Sequence, residues 1–275
     1  MTTGSWKRYA DMWDAMPPPM RPTPSVIDIM VREATPGKVL LLGVTPEIHA
    51  AFDHITAVDK DPNMIGAVWP GDTPTKHAIQ GQWWDMDWPE ASFDTIIGDC
   101  AITLLGDIDK IRDFQVKCLR WLRPGGSLVH RVMTRPDMPV TELNISVDLA
   151  HAATMNFHAF RWRMGQCVAE RHDGMAPASE TYELFNRLVD DRDELCRITG
   201  WTRAEVDSID LYKDNPQRPF FGTLWQWLDT MPKSDIDVST NLCYDYDFSE
   251  HCPVWRWRRA CWACWRCPAP SSRAP

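Results

Sequence analysis

The sequence predicts an α/β fold: a doubly wound, mostly parallel sheet with a helical insertion before the last strands. Three observations predict it. Wholly apolar runs such as Val39-Leu40-Leu41-Leu42 suit strands buried on both faces of a parallel sheet. These runs alternate with helical stripes, as crossover connections require. Residues 141–210 then carry no strand-like run, and aromatic-rich, strand-compatible sequence returns over 220–257.

Taken in order, residues 1–37 read as a Pro-rich leading segment and a lid helix. Pro17, Pro18, Pro19, Pro22 and Pro24 forbid a helix interior, since each lacks an N–H and clashes with the preceding turn. Thr23 can cap a helix whose first position is Pro24. Val26, Ile27, Met30, Val31 and Ala34 give it one apolar stripe, and Pro36-Gly37 stops it. Residues 38–140 read as the core. The strand from Val39 ends at Gly43, a short helix capped by Thr45 follows over 46–52, and Ile55–Val58 is a second strand ending at Asp59. Phe93–Gly98 is another strand. Ile108, Ile111, Phe114, Cys118, Leu119 and Leu122 mark a helix, and Pro124-Gly125-Gly126 turns into a strand over 127–132. Residues 141–212 read as a helical insertion that forms the acceptor pocket, with Thr202 and Glu205 spaced as a capping box. Residues 213–254 read as the closing strands, and 255–275 as a disordered Arg/Trp/Cys-rich tail.

The chain has 275 residues, a formal charge of −9, 44% hydrophobic and 24% charged residues. That composition excludes a disordered chain, a collagen and a coiled coil. No apolar run approaches the ~18–20 residues of a membrane span, and no signal peptide is read behind Lys7-Arg8. The acidic balance argues against nucleic acid as a partner. Residues 253–275 hold five Arg and no acid, so the remainder carries −14. Cys261, Cys264 and Cys267 have a spacing that can bind zinc or an iron–sulfur cluster, but a fourth ligand at a standard distance is missing and no metal is expected. A basic, Trp-rich segment can also touch a membrane surface; the favoured reading is instead a composition resembling GC-rich DNA out of frame. The other six of the 9 Cys are scattered singles, as in a reducing cytoplasm, which is the expected location.

In an open parallel sheet, ligands bind beyond the carboxyl ends of the strands. Gly43-Val44-Thr45-Pro46-Glu47 is the first such end, where glycine admits a close backbone approach and the helix start favours an anion. Asp59 lies 16 residues after Gly43, where a carboxylate can accept from both hydroxyls of a ribose. The dense glycine nest of pyrophosphate sites and the P-loop pattern are both missing, so a nucleoside cofactor without phosphates is expected.

Four segments then resemble the class I S-adenosylmethionine-dependent methyltransferases: KVLLLGVTPE, ITAVDKDPNMI, GQWWDMDWPEASFDTIIGDCAITLL and LRWLRPGGSLVHRV, in that order over residues 38–135. The resemblance implies a Rossmann-like core, S-adenosyl-L-methionine as cofactor and methyl transfer as activity. It implies that Gly43, Val44 and Thr45 face the methionine end, with Glu47 on its amino group or capping a helix. It implies Asp59 on the ribose, Lys60, Met64, Gln82 and Trp83 around the adenine, and Asp99 and Cys100 near the sulfonium. Thr45 and Glu47 stand where the family carries glycines.

Methyl transfer from a sulfonium needs mainly alignment, and a base only if the acceptor must lose a proton. Asp99, His130 and Tyr244 are weak candidates for that base. The sequence lacks [DN]-P-P-[YFW], so nucleobase and glutamine N-methylation are not supported. A small-molecule acceptor, methylated on O, N or C, is the expected substrate. The alternatives are a non-catalytic S-adenosylmethionine sensor or scaffold, and a transferase of another group such as aminopropyl.

Overall fold

The computed structural model describes residues 3–13, 16–231 and 236–259. Its centre is a seven-stranded sheet. The strands are β1 (Val39–Leu42), β2 (Ile55–Asp59), β3 (Lys76–Gln80), β4 (Phe93–Asp99), β5 (Leu122–Arg131), β6 (Ile236–Asn241) and β7 (Val254–Arg259). They lie in the order β3-β2-β1-β4-β5-β7-β6. The first five run parallel, and β7 runs antiparallel to both β5 and β6.

The two-residue period of the strands divides the core into two layers. Leu40, Leu42, Ile96 and Leu128 face one layer with Ile111, Phe114, Cys118 and Trp121 of α5 (Ile108–Trp121). Val39, Leu41, Ile97 and Val129 face the other. That second layer holds residues of α1 (Thr3–Met12), α2 (Pro24–Glu33), α3 (Pro46–Ala51) and α4 (Pro62–Val68). Thr23 caps α2 by accepting from the Val26 N–H, as its sequence predicts. Thr45 precedes α3 but makes no side-chain cap bond, against expectation.

Between β5 and β6 lies the helical insertion: α6 (Glu142–Ala150), α7 (Phe157–Ala169), α8 (Ala178–Leu188), α9 (Arg192–Thr199) and α10 (Arg203–Asp207), followed by α11 (Leu224–Asp229). It has its own core of Ile145, Phe157, Phe160, Leu184, Phe185 and Trp201. The capping box at Thr202 and Glu205 is present.

Over residues 255–259 the expected tail is instead part of strand β7, and residues 260–275 lie outside the described residues. Trp255 and Trp257 are fully buried between β5 and β6 and packed with Trp121 and Trp227. Burying ~150–250 Å² of an indole at about 25 cal/mol per Å² is worth roughly 4–6 kcal/mol in gross transfer terms. Arg256, on the opposite face, donates to Glu33 (3.0 Å) and Asp237 (2.7 Å). Burial pushes the Glu33 carboxyl up, but Ser239 and Arg256 outweigh it and hold it below its ordinary value. The run Trp-Arg-Trp-Arg is therefore an inner strand with alternating faces, and the proposed boundary at 255 is wrong. Cys261, Cys264 and Cys267 lie outside the described residues. The six other cysteines are free thiols. Among the described residues no helix is long and apolar enough to cross a membrane.

Candidate active site

A cavity opens at the carboxyl ends of β1, β2 and β4, with an empty volume of ≈ 1310 Å³ counting its mouth. At the end of β1, Gly43 has φ of 96°, a region that favours glycine, and its N–H donates to Val58 O at 2.9 Å. This turn brings Val44 and Thr45 to the cavity wall.

Asp59 ends β2. Its Oδ1 accepts the Asp61 N–H at 2.9 Å, and Asp61 in turn caps α4. Burial pushes the Asp59 carboxyl up to about 6, and the Asp61 N–H opposes that rise. Asp59 is half-buried, and a carboxylate beside a cavity gains from further donors. Lys60 and Met64 follow on the same wall, and Gly81, Gln82, Trp83 and Trp84 enter from the segment after β3. The Trp83 indole N–H donates to Val58 O at 2.6 Å, which fixes its plane against β2. Trp88 packs edge-on against Phe93 and does not line the cavity.

Asp99, Cys100 and Ala101 close the cavity at the end of β4. Arg131, the β5 residue paired with Asp99, grips both carboxylate oxygens, with Nη2 at 2.9 Å from Oδ2. Burial pushes the Asp99 carboxyl up and the Arg131 guanidinium opposes it. Burial likewise pushes Arg131 down, yet Asp99 outweighs it and the guanidinium stays charged. Arg131 also donates to Tyr246 Oη (3.1 Å) and Pro19 O (2.8 Å). Cys100 is buried and its thiol is pushed far up by burial, so it is a wall and not a nucleophile.

Ten of the expected cofactor residues thus meet at one cavity: Gly43, Val44, Thr45, Asp59, Lys60, Met64, Gln82, Trp83, Asp99 and Cys100. Glu47 is the exception. It turns away and pairs with Arg21 (Nε–Oε1 2.7 Å) in a shallow groove under the Pro-rich segment.

Of the three candidate bases, Asp99 alone lines the cavity. His130 is fully buried, packs on Trp257, and is pushed down to about 3 by burial. In β5 it shares the face of Leu128 and Val132, toward α5, not the cavity. Tyr244 is 76% exposed and lies outside the cavity wall. Asp99 reaches the cavity, but Arg131 occupies both its oxygens.

The opposite wall was expected only as whole segments, the lid and the helical insertion, without its residues. Tyr9 and Trp13 come from α1 and the residue after its end, Met20 from the Pro-rich segment, and Trp162 from α7. Tyr212, Gln217 and Phe221 complete it from the stretch before α11. Arg161 is buried behind this wall, and Arg163 pairs with Asp148 on the insertion.

The sheet order and a cavity at the strand ends define the Rossmann-like fold of class I methyltransferases. Residues 42–130 match the family model described as a methyltransferase domain. Solved structures agree in fold. One is from Rhodobacter sphaeroides and named among zinc-dependent alcohol dehydrogenases; at 13% identity it covers 94% of this chain and 98% of its own, with a TM-score of 0.59. Another belongs to the complex of the Haloferax volcanii Trm112 methyltransferase activator with a methyltransferase: 9% identity, 94% and 98% coverage, TM-score 0.51. A third is the DhpI-SAM-HEP complex, at 14% identity, 93% and 94% coverage, TM-score 0.50. No curated protein sequence matches.

Proposed function

We propose that this protein is an S-adenosylmethionine-dependent methyltransferase that moves a methyl group to an O, N or C atom of a small molecule. The observation that carries the reading is the convergence of Gly43, Asp59, Gln82, Trp83 and Asp99 on one cavity wall. The donor set suits the cofactor: a half-buried carboxylate for two ribose hydroxyls, a glycine turn for close backbone approach, and an indole plane for a purine. When bound, S-adenosylmethionine supplies an electrophilic methyl group on a sulfonium.

The chain's own residues do the rest. Asp59 accepts the ribose hydroxyls, and the Gly43–Thr45 backbone approaches the amino-acid end. Met64, Gln82 and Trp83 enclose the base, where stacking on an aromatic is worth ~1–3 kcal/mol. Asp99, held by Arg131, and Cys100 shape the wall nearest the reacting centre. The aromatic wall from α1 and the insertion seats the acceptor and excludes water. Alignment of this kind can lower a barrier by ~7–11 kcal/mol without a base.

Isothermal titration with S-adenosylmethionine tests the reading: binding in the micromolar range is expected, and no heat at millimolar cofactor would defeat it. The placement of His130 and Tyr244 away from the cavity, and of Arg131 on Asp99, supports one second reading, a non-catalytic S-adenosylmethionine sensor. Binding without turnover across a panel of O, N and C nucleophiles would select it.

A further inference from the structure

The charged residues that line the cavity all belong to the strand-end wall. Among the described residues they are Asp59, Lys60 and Asp99. The acceptor side presents Trp13, Met20, Trp162, Tyr212, Phe221 and Gln217, and none of these carries a charge. Burying a carboxylate or an ammonium against such a surface is costly unless an opposite charge meets it. Arg161 lies behind the Tyr212 ring, 4.9 Å from its centre, and does not line the cavity. It opposes a cationic ligand and offers an anion no direct bond. The rings of Trp162 and Phe221 stand edge to face, with centres 6.3 Å apart and planes at 83°. Such a corner accepts a flat apolar ring.

Gln217 adds an amide to this wall, with two donor hydrogens and an acceptor oxygen. The chain on either side of it is pinned. Buried Asn215 donates to Leu211 O at 3.1 Å and accepts the Gln217 N–H at 3.0 Å. Gln217 O accepts the Ala178 N–H at 2.9 Å, and Pro219 O accepts the Ala176 N–H at 2.8 Å. Phe220 N–H donates to Thr103 O at 2.8 Å, and Phe221 N–H to Gly174 O at 2.7 Å. The backbone N–H and C=O of Gln217 are therefore both satisfied within the protein. Its side chain is half-buried, and among the described residues nothing hydrogen-bonds its amide. A polar group placed by a rigid strap on an apolar wall is how a pocket fixes the orientation of its ligand. A site that hydrogen-bonds such a group also rejects analogues that lack it.

We infer that the acceptor is an uncharged aromatic molecule carrying a donor and an acceptor side by side, as in a carboxamide or lactam, and that Gln217 selects it by pairing with both. This names the substrate class for the methyl-transfer reading and rests on it.

The test titrates three probes of one ring system into the full chain by calorimetry, with and without S-adenosylhomocysteine: neutral 2-naphthamide, anionic 2-naphthoate and cationic 2-naphthylmethylammonium. The amide is expected to bind about tenfold tighter than either ion. Gln217→Met should weaken the amide about tenfold, equivalent to ~1.4 kcal/mol, and leave both ions within about twofold. Gln217→Glu should place the ammonium above the amide, a reversal that loss of structure would not produce. If Gln217→Met melts early, Gln217→Asn, which withdraws the amide by one methylene, should show the same loss. An ion that binds as tightly as the amide, no amide binding at millimolar concentration, or an amide affinity that survives the Gln217 substitutions would overturn the inference. Failure of the cofactor reading is separate: it shows as no binding of S-adenosylmethionine, while the order of the three probes without S-adenosylhomocysteine is read on its own.

Discussion

The two walls of the cavity are built by different means. On one, Gly43, Asp59 and Asp99 stand at the tips of parallel strands, and their spacing follows from register: Asp59 beside Gln80, and Asp99 beside Arg131. On the other, Tyr9, Trp13, Met20, Trp162 and Tyr212 come from helices and turns far apart in sequence. Backbone hydrogen bonds fix the first wall whatever the neighbouring side chains. The second is fixed by packing of Phe157, Phe160, Phe185 and Trp201 within the insertion. The first wall is polar and suited to a constant ligand, and the second is aromatic and free to vary.

One residue joins the walls, and breaking it should have the largest effect. Arg131 binds Asp99 on the strand side and Pro19 O and Tyr246 on the other. Arg131→Met leaves a buried carboxylate unpaired and should cost about 3–5 kcal/mol in urea unfolding, with both ligand sites weakened. A loss under about 1 kcal/mol would mean the walls are independent.

Asp59→Ala separates the walls next. Loss of charge-assisted hydrogen bonds, each ~1.5–3 kcal/mol, should weaken S-adenosylmethionine by at least about tenfold. Unchanged cofactor affinity would remove Asp59 from the ribose.

Acidity should act on the strand wall first. The Asp59 carboxyl is raised to about 6, so it is a carboxylate above that pH and protonated below it. Cofactor affinity should rise as pH increases through 6, and be about tenfold lower at pH 5 than at 7.5. Calorimetry across that range checks it, and a flat profile in the native chain would count against the assignment.

The smallest effect belongs to Glu47. It pairs with Arg21 outside the cavity, and both side chains are about a quarter exposed. Glu47→Gln should alter cofactor affinity by less than about twofold and stability by ~0–1 kcal/mol, read from titration and melting curves.

The strand wall was largely legible in the sequence because a strand's end and the next residue define a position in space. Glu47, expected on the cofactor's amino group or at a helix start, lies in the first turn of α3 and pairs with Arg21, a partner 26 residues away that local sequence does not reveal. His130 could have been excluded from the sequence: it stands two residues from Leu128 and from Val132, and parity sends all three toward α5. The same parity was present in Trp255-Arg256-Trp257-Arg258, but its composition looked unlike a strand. The aromatic wall was less legible. Nothing in a helical stripe says which of its residues will meet Tyr9 across the cavity.

The position of β7 has a consequence for how the molecule is assembled. It is the last of the seven strands in the chain, yet it lies inside the sheet, and β6 touches the rest of the sheet through it. On a ribosome, β6 emerges earlier but has nothing to join. The edge of β5, with Leu128 and His130, stays open until Trp255 and Trp257 arrive, so sheet closure is a late, non-local event that exposes a sticky edge to chaperones during synthesis.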